Sequence, residues 1–206
     1  PFMLSLDPLV GAIAAGNCAV LKPSAYAPAT SRVLRELVES CFAPDHIAVV
    51  EGGRAENEAL LEQKFDYIFF TGSVAVGRLV MEKAARWLTP VTLELGGKSP
   101  CIIDQTADLP LAAKRLAFGK YLNAGQTCVC ANRLYVQDGV YDRFAEKLQQ
   151  AVEKLRIGDG LQDGVTTGPL IDEKAVAKVE EHIADAIAKG AKVLTGVKWD
   201  VVSGSD

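Results

Sequence analysis

The stretch from Tyr67 to Gly77, YIFFTGSVAVG, is the one that decides the predicted fold. It begins with a run of aromatic and β-branched residues up to Phe70, which favours a β-strand. Gly72 then permits a tight turn, and Ser73 is a typical residue for capping the helix that follows. A strand that passes through a short turn into a helix is the repeating unit of an α/β protein.

The same alternation of short apolar runs and helical periodicity continues on both sides of this stretch. We predict strands at 19–21, 47–50, 67–70, 91–94, 101–103 and 134–136, and helices at 28–41, 55–64, 72–87, 108–122, 141–155 and 173–189, the last one capped by Gly190. The segment from Gly196 onward is polar and rich in turn-forming residues. This order predicts βαβ units and a parallel sheet, with ligands at the carboxyl ends of the strands.

Composition limits the classes of partner. The 206 residues suit one domain or parts of two, and the run Gly96 to Pro100 is the predicted boundary, between residues 1–95 and 96–206. The net charge is -4 and no Lys/Arg-rich block is present, so no nucleic-acid partner is expected. No apolar run reaches the length of about 18 residues that a membrane span requires.

Cysteine and histidine usage indicates a reducing compartment and no metal. The five cysteines are an odd, scattered set without a signal peptide, which predicts the cytoplasm and argues against a disulfide framework. His46 and His182 are the two histidines, they lie far apart in the sequence, and no Cys/His cluster has the spacing of a zinc site.

The turn from Gly72 to Gly77 is a candidate phosphate site. Backbone N–H groups at the start of a helix favour an anion, and Gly77 would allow a ligand or a neighbouring element to approach closely. However, Arg78 and Leu79 stand where a P-loop requires Lys and Ser/Thr, and no G-x-G-x-x-G is present. A plain βα turn capped by Ser73 explains the pattern as well.

Two other residues are candidates for chemistry. Glu94 ends a predicted strand beside Gly96 and Gly97, where a partly buried general base is expected; a solvated Glu before a turn is the alternative. Cys128 lies on a loop of small residues, where a thiolate is accessible to substrate. No His is near enough in sequence to predict a Cys–His pair, and a buried structural thiol is the alternative for Cys128. That buried state is our expectation for the other thiols Cys18, Cys41 and Cys101.

Taken together, these motifs resemble the aldehyde dehydrogenase superfamily. The motifs are Leu-Lys-Pro-Ser (21–24), Phe-Thr-Gly-Ser (70–73), Glu-Leu-Gly-Gly-Lys (94–98), Gly-Gln-Thr-Cys (125–128) and Gly-Pro-Leu-Ile (168–171). Residues 1–100 look like the fatty and aromatic aldehyde type, and residues 128–190 look like succinate-semialdehyde dehydrogenases. The resemblance covers nearly the whole chain, up to about Gly196.

The resemblance implies a fold and a set of roles. Residues 1–95 would be part of a Rossmann-like NAD(P)-binding domain, and residues 96–206 would open an α/β catalytic domain. Cys128 would attack a small aldehyde to give a thiohemiacetal and then a thioester, and Glu94 would activate the hydrolytic water. Cofactor contacts would come from Lys22 at the adenosine ribose, Gly72, Ser73 and Gly77 near the pyrophosphate, and Val76 on the adenine side.

Three departures from the family pattern shape these expectations. The family carries an Asn, the second oxyanion donor, before the Pro-Phe that opens this chain, and a Glu-Glu-x-Phe-Gly-Pro segment beyond its end. We therefore expect a fragment of a longer, homo-oligomeric enzyme, which by itself can be inactive. Ala25 replaces a Glu that accepts from the adenosine ribose in many members, so both NAD and NADP stay open as cofactors.

Two alternatives to an active dehydrogenase follow. The chain can be a catalytically incomplete nucleotide-binding relic of the same fold, because the second oxyanion donor and the nicotinamide contact are absent. It can also belong to an acyl-transferring semialdehyde dehydrogenase that uses coenzyme A. Glu94 argues against the second alternative, since a base placed to activate water would hydrolyse the thioester.

Cys130, two residues from Cys128, suggests a redox control. We hypothesise that a reversible Cys128–Cys130 link silences the enzyme under oxidation; a simple packing role for Cys130 is the alternative. In the wild type, we expect a thiol reductant to restore the activity that peroxide removes. In a Cys130→Ser variant, which cannot form the link, we expect the reductant not to restore it. If the activity of Cys130→Ser responds to peroxide as the wild-type activity does, that result counts against the link.

Overall fold

The computed structural model describes residues 1–196, and these divide into two compact units, Pro1–Leu95 and a second unit that begins at Gly96. Helices and strands alternate through both, so the predicted α/β class is confirmed. The predicted turn-rich segment extends beyond Gly196, and that extension lies outside the described residues.

The first unit contains four helices and four strands within its described residues. In chain order they are α1 Phe2–Ala14, β1 Ala19–Leu21, α2 Pro28–Cys41, β2 Ile47–Val49, α3 Arg54–Leu61, β3 Ile68–Thr71, α4 Val74–Ala85 and β4 Val91–Glu94. Strand β1 pairs with β2 and β3 pairs with β4, both in parallel. The predicted parallel pairing is therefore confirmed, but as two separate two-stranded ladders in this unit instead of one continuous sheet.

Helix α2 shows why its bounds follow from the sequence. Pro28 stands in the first turn, where its missing N–H costs nothing. The apolar residues recur at helical spacing, and two of them, Leu34 and Val38, are buried. Val38 packs with Leu9 and Ile47, so the core of this part of the unit joins α1, α2 and β2.

Helix α1 is the element that the sequence pattern did not predict. It carries Pro8 in its interior and no side chain caps its first turn. An internal Pro usually marks the end of a helix, and the cap is the usual starting signal. The helix forms because Leu9 is buried against α2 and β2, which is a tertiary contact that local signals do not encode.

The second unit contains β5 Ser99–Ile103, α5 Leu109–Tyr121, a 3₁₀ turn at Leu122–Gly125, β6 Ala131–Val136, a 3₁₀ turn at Asp138–Val140, α6 Tyr141–Val152 and α7 Glu173–Ala188. Strands β5 and β6 are parallel, with a register shift between Ser99 and Pro100. The core of this unit lies where α5 and α6 cover the two strands, and Phe144 and Ile103 are buried in it. Its packing leaves the chain between α5 and β6, which contains Cys128, as a connecting loop.

Candidate active site

The turn after β3 combines a helix cap with a close approach. Ser73 is the N-cap of α4, and its Oγ accepts a hydrogen bond from the Val76 N–H at 3.3 Å. A Cβ at position 72 would lie 2.5 Å from the ring of Phe70, so any other residue here would have to displace that ring. The predicted cap is confirmed, and the first-turn N–H groups of α4 stand at the carboxyl end of β3.

Gly77 and Val76 differ in what they face. A Cβ on Gly77 would lie 2.7 Å from the Leu95 side chain, so this glycine lets α4 approach the residue that follows β4. Gly77 is buried, whereas Val76 is exposed and free to meet a ligand. Of the two residues, only Val76 therefore presents a side chain to solvent.

Helices α3 and α4 border a cavity of about 430 Å³ that the sequence patterns did not indicate. Its apolar lining includes Leu61 and Leu79, and Arg54 stands among its polar residues. Leu79 follows Val76 by three positions, so the two side chains lie on one face of α4. The spacing of Val76 and Leu79 within the helix predicted after Ser73 was the available sequence signal that these two side chains share a face.

Lys22 lies immediately after β1 and is held by backbone carbonyls. Its Nζ donates to the Gly52 oxygen at 2.6 Å and to the Pro23 oxygen at 3.0 Å. Burial lowers the pKa of Lys22 from its ordinary value, and the negative charge of Glu56 opposes that shift. The ammonium is thus anchored at the carboxyl ends of β1 and β2.

Glu56 is a carboxylate near Lys22 that sequence reasoning missed. One of its oxygens accepts from the Gly53 N–H at 2.7 Å, at the start of α3. Its own backbone N–H and that of Gly53 hold the pKa of Glu56 below its ordinary value. Ala25 supplies no carboxylate, but Glu56 brings one to the same region. A Glu three residues after a Gly-Gly turn is a capping pattern, which was the available signal.

Glu94 ends β4 next to the turn after β3. It pairs with Thr71 in the parallel register, and its carbonyl accepts from the Gly72 N–H at 3.0 Å. The structure therefore brings together two of the predicted motifs at one sheet edge. The Glu94 side chain is exposed, so the expectation of a partly buried carboxylate was wrong: Glu94 is the last residue of β4, where the strand gives way to a loop.

Cys128 lies on a loop that begins with an unusual backbone turn. Asn123, Ala124 and Gly125 all have positive φ, at 52°, 54° and 78°. Left-handed conformations are unfavourable for residues that carry a Cβ, so other contacts must hold this turn. The Asn123 amide donates to the Gln126 carbonyl at 3.2 Å, and the Gln126 amide donates to the Asn123 carbonyl at 3.1 Å.

Further hydrogen bonds hold the residues next to Cys128, whose thiol is exposed. The Thr127 hydroxyl donates to the Leu122 carbonyl at 3.2 Å, and the Cys130 N–H donates to the Thr127 carbonyl at 3.2 Å. On the other side, a Cβ on Gly97 would lie 2.6 Å from the Cys128 carbonyl oxygen. The loop thus presents the Cys128 thiol to solvent while its backbone is held on both sides.

Gln126 joins two motifs that are far apart in the sequence. Its side-chain oxygen accepts from the Ile171 N–H at 2.9 Å. Ile171 closes the Gly-Pro-Leu-Ile run, and Gln126 belongs to the Gly-Gln-Thr-Cys run. This contact gives a physical reason for both runs to occur in one chain.

Of the three thiols that were expected to be buried, Cys18, Cys41 and Cys101, none is fully buried. Cys130 is buried, at 2% exposure, and Cys101 is half-buried beside the core of the second unit. Cys18 and Cys41 are exposed, so that expectation was wrong for both: Cys18 lies in the turn between α1 and β1, and Cys41 ends α2.

Two absences concern residues 1–196 alone. No three side chains of the metal-binding types come together in this range. Nor does any helix there combine the length and the apolar character needed to cross a bilayer.

The contact between Gly97 and Cys128 yields a test with a built-in control. Gly97→Ala should lower the free energy of unfolding by about 1–3 kcal/mol, because the new methyl group must displace the Cys128 carbonyl. Gly96→Ala, where a Cβ would meet nothing within 4 Å, should leave the free energy of unfolding unchanged or slightly higher. Urea denaturation of both variants measures this, and equal stabilities would contradict the close contact.

Comparison with known proteins places the chain in a family. The aldehyde dehydrogenase family profile matches residues 1–205. The succinate-semialdehyde dehydrogenase [NADP(+)] GabD of Escherichia coli (strain K12) is 56% identical over 190 residues, which are 91% of this chain and 39% of that protein. Aldehyde dehydrogenase family 3 member A2 of Mus musculus is 40% identical over 200 residues, 97% of this chain and 40% of that protein.

Solved structures agree with the sequence comparisons. The structure of lactaldehyde dehydrogenase from Escherichia coli matches with a TM-score of 0.91 and 36% identity, over 99% of this chain and 43% of that chain. An NADP-dependent enzyme of E. coli matches with a TM-score of 0.83 and 53% identity, over 88% and 38%. The chain spans about two fifths of the length of these relatives. It belongs to the aldehyde dehydrogenase family, as the resemblance of its motifs predicted.

Proposed function

We propose that this chain carries the nucleophile and part of the cofactor site of an NAD(P)-dependent aldehyde dehydrogenase that converts an aldehyde to a carboxylic acid. One observation supports the proposal most directly. Cys128 is exposed on a loop whose backbone is braced by Gln126, Thr127 and Gly97. A nucleophile that is accessible, yet held in one place, is what covalent catalysis requires.

The first chemical step takes place at the Cys128 sulfur. Its thiolate adds to the aldehyde carbon, which forms a C–S bond and moves the carbonyl electron pair to oxygen. The developing oxyanion requires hydrogen-bond donors that are already in place. We propose the backbone N–H of Cys128 as one donor, since it belongs to the same residue as the attacking sulfur.

The residues of the first unit are suited to a dinucleotide. Ser73 and the N–H groups of the first turn of α4 can receive the pyrophosphate, and Lys22 can donate to the adenosine ribose. The cavity lined by Leu79 and several charged side chains, together with the exposed Val76, can take the flat adenine ring. When bound, the nicotinamide accepts the hydride that leaves the substrate carbon. We accordingly propose residues 1–95 as part of an NAD(P)-binding domain and residues 96–206 as part of a catalytic domain.

Both NAD and NADP stay within the proposal. Ala25 removes one carboxylate from the neighbourhood of Lys22, which lessens the repulsion of a 2′-phosphate. Glu56 brings another carboxylate to the same ammonium, which opposes that phosphate. The E. coli succinate-semialdehyde dehydrogenase is named for NADP, and that cofactor specificity is a property of the relative.

Glu94 completes the proposed cycle. After oxidation the acyl group is a thioester on Cys128. We propose that the Glu94 carboxylate takes a proton from water, whose oxygen attacks the thioester carbon, releasing the acid and returning the Cys128 sulfur as a thiolate. Ser73 and Lys22 would serve equally in a nucleotide-binding relic without turnover, which is the second candidate function.

Replacing the nucleophile tests the proposal in the intact protein. Reduced-nicotinamide absorbance is followed with hexanal, benzaldehyde and succinate semialdehyde, each with NAD or NADP. Cys128→Ser should lower turnover by at least about a thousandfold, because a serine hydroxyl is not ionised at neutral pH. Cys18→Ser, which removes an exposed thiol of the first unit, should keep wild-type turnover.

The outcomes separate the candidate functions. Wild-type turnover that depends on Cys128 supports the dehydrogenase, and the better cofactor identifies the nucleotide. Nucleotide binding without turnover of any aldehyde in the intact protein supports the relic. Turnover that requires coenzyme A supports the acyl-transferring enzyme and contradicts hydrolysis through Glu94.

A further inference from the structure

Lys120 is a charged side chain that the proposed mechanism does not use. It lies in the last turn of α5, where a cation is favoured by the helix dipole. Its Nζ is 3.5 Å from the Cys130 sulfur and donates to the Asn132 side-chain oxygen at 3.2 Å. The Lys120 side chain is half-buried and the Cys130 thiol is buried, whereas Asn132 is exposed, so the contact with the sulfur is the better shielded from water.

Cys130 and Asn132 extend this network to the rest of the loop. The buried Cys130 thiol donates to the Gly125 carbonyl at 3.3 Å. The Asn132 amide donates to the Gly97 and Cys130 carbonyls, both at 3.3 Å. Four segments are therefore joined through two side chains that share Lys120: the end of α5, the left-handed turn, the start of β6 and the residues before β5.

Cys128 lies inside the segment that this network encloses. Gly125, three residues before Cys128, and Asn132, four residues after it, both belong to the network. Gly97 lies close to the carbonyl oxygen of Cys128. We propose that Lys120 is a positioning residue for Cys128: it holds Cys130 and Asn132, and through them the backbone that presents the nucleophile. This inference rests on the proposed role of Cys128 as the nucleophile.

An ammonium suits this position for a chemical reason. It offers three donors and no acceptor, and both the Cys130 sulfur and the Asn132 oxygen can accept from it. An apolar side chain of equal length would leave the buried Cys130 sulfur without this partner and would release the exposed Asn132 oxygen to water, so the loop would lose the link between them. A shift of about 1 Å at a reacting atom can lower a rate by roughly a hundredfold.

Lys120→Met in the intact protein is the central test, with the aldehyde of the panel that gives the highest turnover. We expect kcat to fall by about tenfold to a hundredfold with little change in the KM for the cofactor. The reason is that the loop geometry affects the reacting atoms and not cofactor binding. Lys120→Arg, which retains donors, should recover most of kcat. Lys114→Met, an exposed lysine of the same helix, should retain wild-type kcat.

Asn132→Ala provides a second route to the same answer and serves if Lys120→Met does not fold. It should lower kcat in the same direction, and the losses in the double variant should not multiply, because both side chains act through one network. Multiplicative losses, or a wild-type kcat in folded Lys120→Met, would overturn the proposal. So would a loss in kcat that Lys120→Arg does not recover.

Alkylation by iodoacetamide separates this inference from the proposed function. Turnover that is absent in the wild type, or independent of Cys128, contradicts the proposed function. In that case the rate of Cys128 alkylation, measured by peptide mass spectrometry, tests whether Lys120 positions Cys128 without relying on turnover. A rate altered in Lys120→Met but not in Lys114→Met supports it, and equal rates in all three proteins overturn it.

Discussion

The left-handed turn at Asn123, Ala124 and Gly125 is the constraint on which the candidate active site depends. Two of these residues carry a Cβ, so the conformation costs roughly 1–2 kcal/mol for each. Reciprocal amide bonds between Asn123 and Gln126 and the bond from Cys130 to the Gly125 carbonyl offset this cost. The result is a sharp reversal after α5 that turns Cys128 outward while its neighbours are bonded inward.

Glycines and hydrogen bonds link four of the five motifs in pairs. The second glycine of Glu-Leu-Gly-Gly-Lys contacts the Cys128 carbonyl oxygen, and Gln126 receives the Ile171 N–H. In the first unit, the Gly72 N–H is bonded to the Glu94 carbonyl. These four motifs thus have local structural reasons that are independent of any bound ligand, and the proposed chemistry uses side chains that these contacts leave exposed.

Much of the fold could be predicted because local signals agree with it. Helix α2 has the predicted bounds, with Pro28 in its first turn, and α7 begins at the predicted Glu173, after the capping Asp172. Helix α1 could not be predicted, since burial of Leu9 outweighs its internal Pro. The parts of the candidate site that escaped prediction, Glu56 beside Lys22 and Lys120 beside Cys130, are charged side chains that tertiary packing brings to their partners.

The central claim is that an acyl group resides on Cys128 during turnover. The direct measurement is peptide mass spectrometry of the intact Glu94→Gln protein, quenched in acid after incubation with hexanal and the preferred cofactor. Slowed hydrolysis should let a hexanoyl adduct accumulate on the peptide that contains Cys128, and on no other cysteine peptide. An adduct on a different cysteine, or none on Cys128 while reduced cofactor forms, would contradict the account.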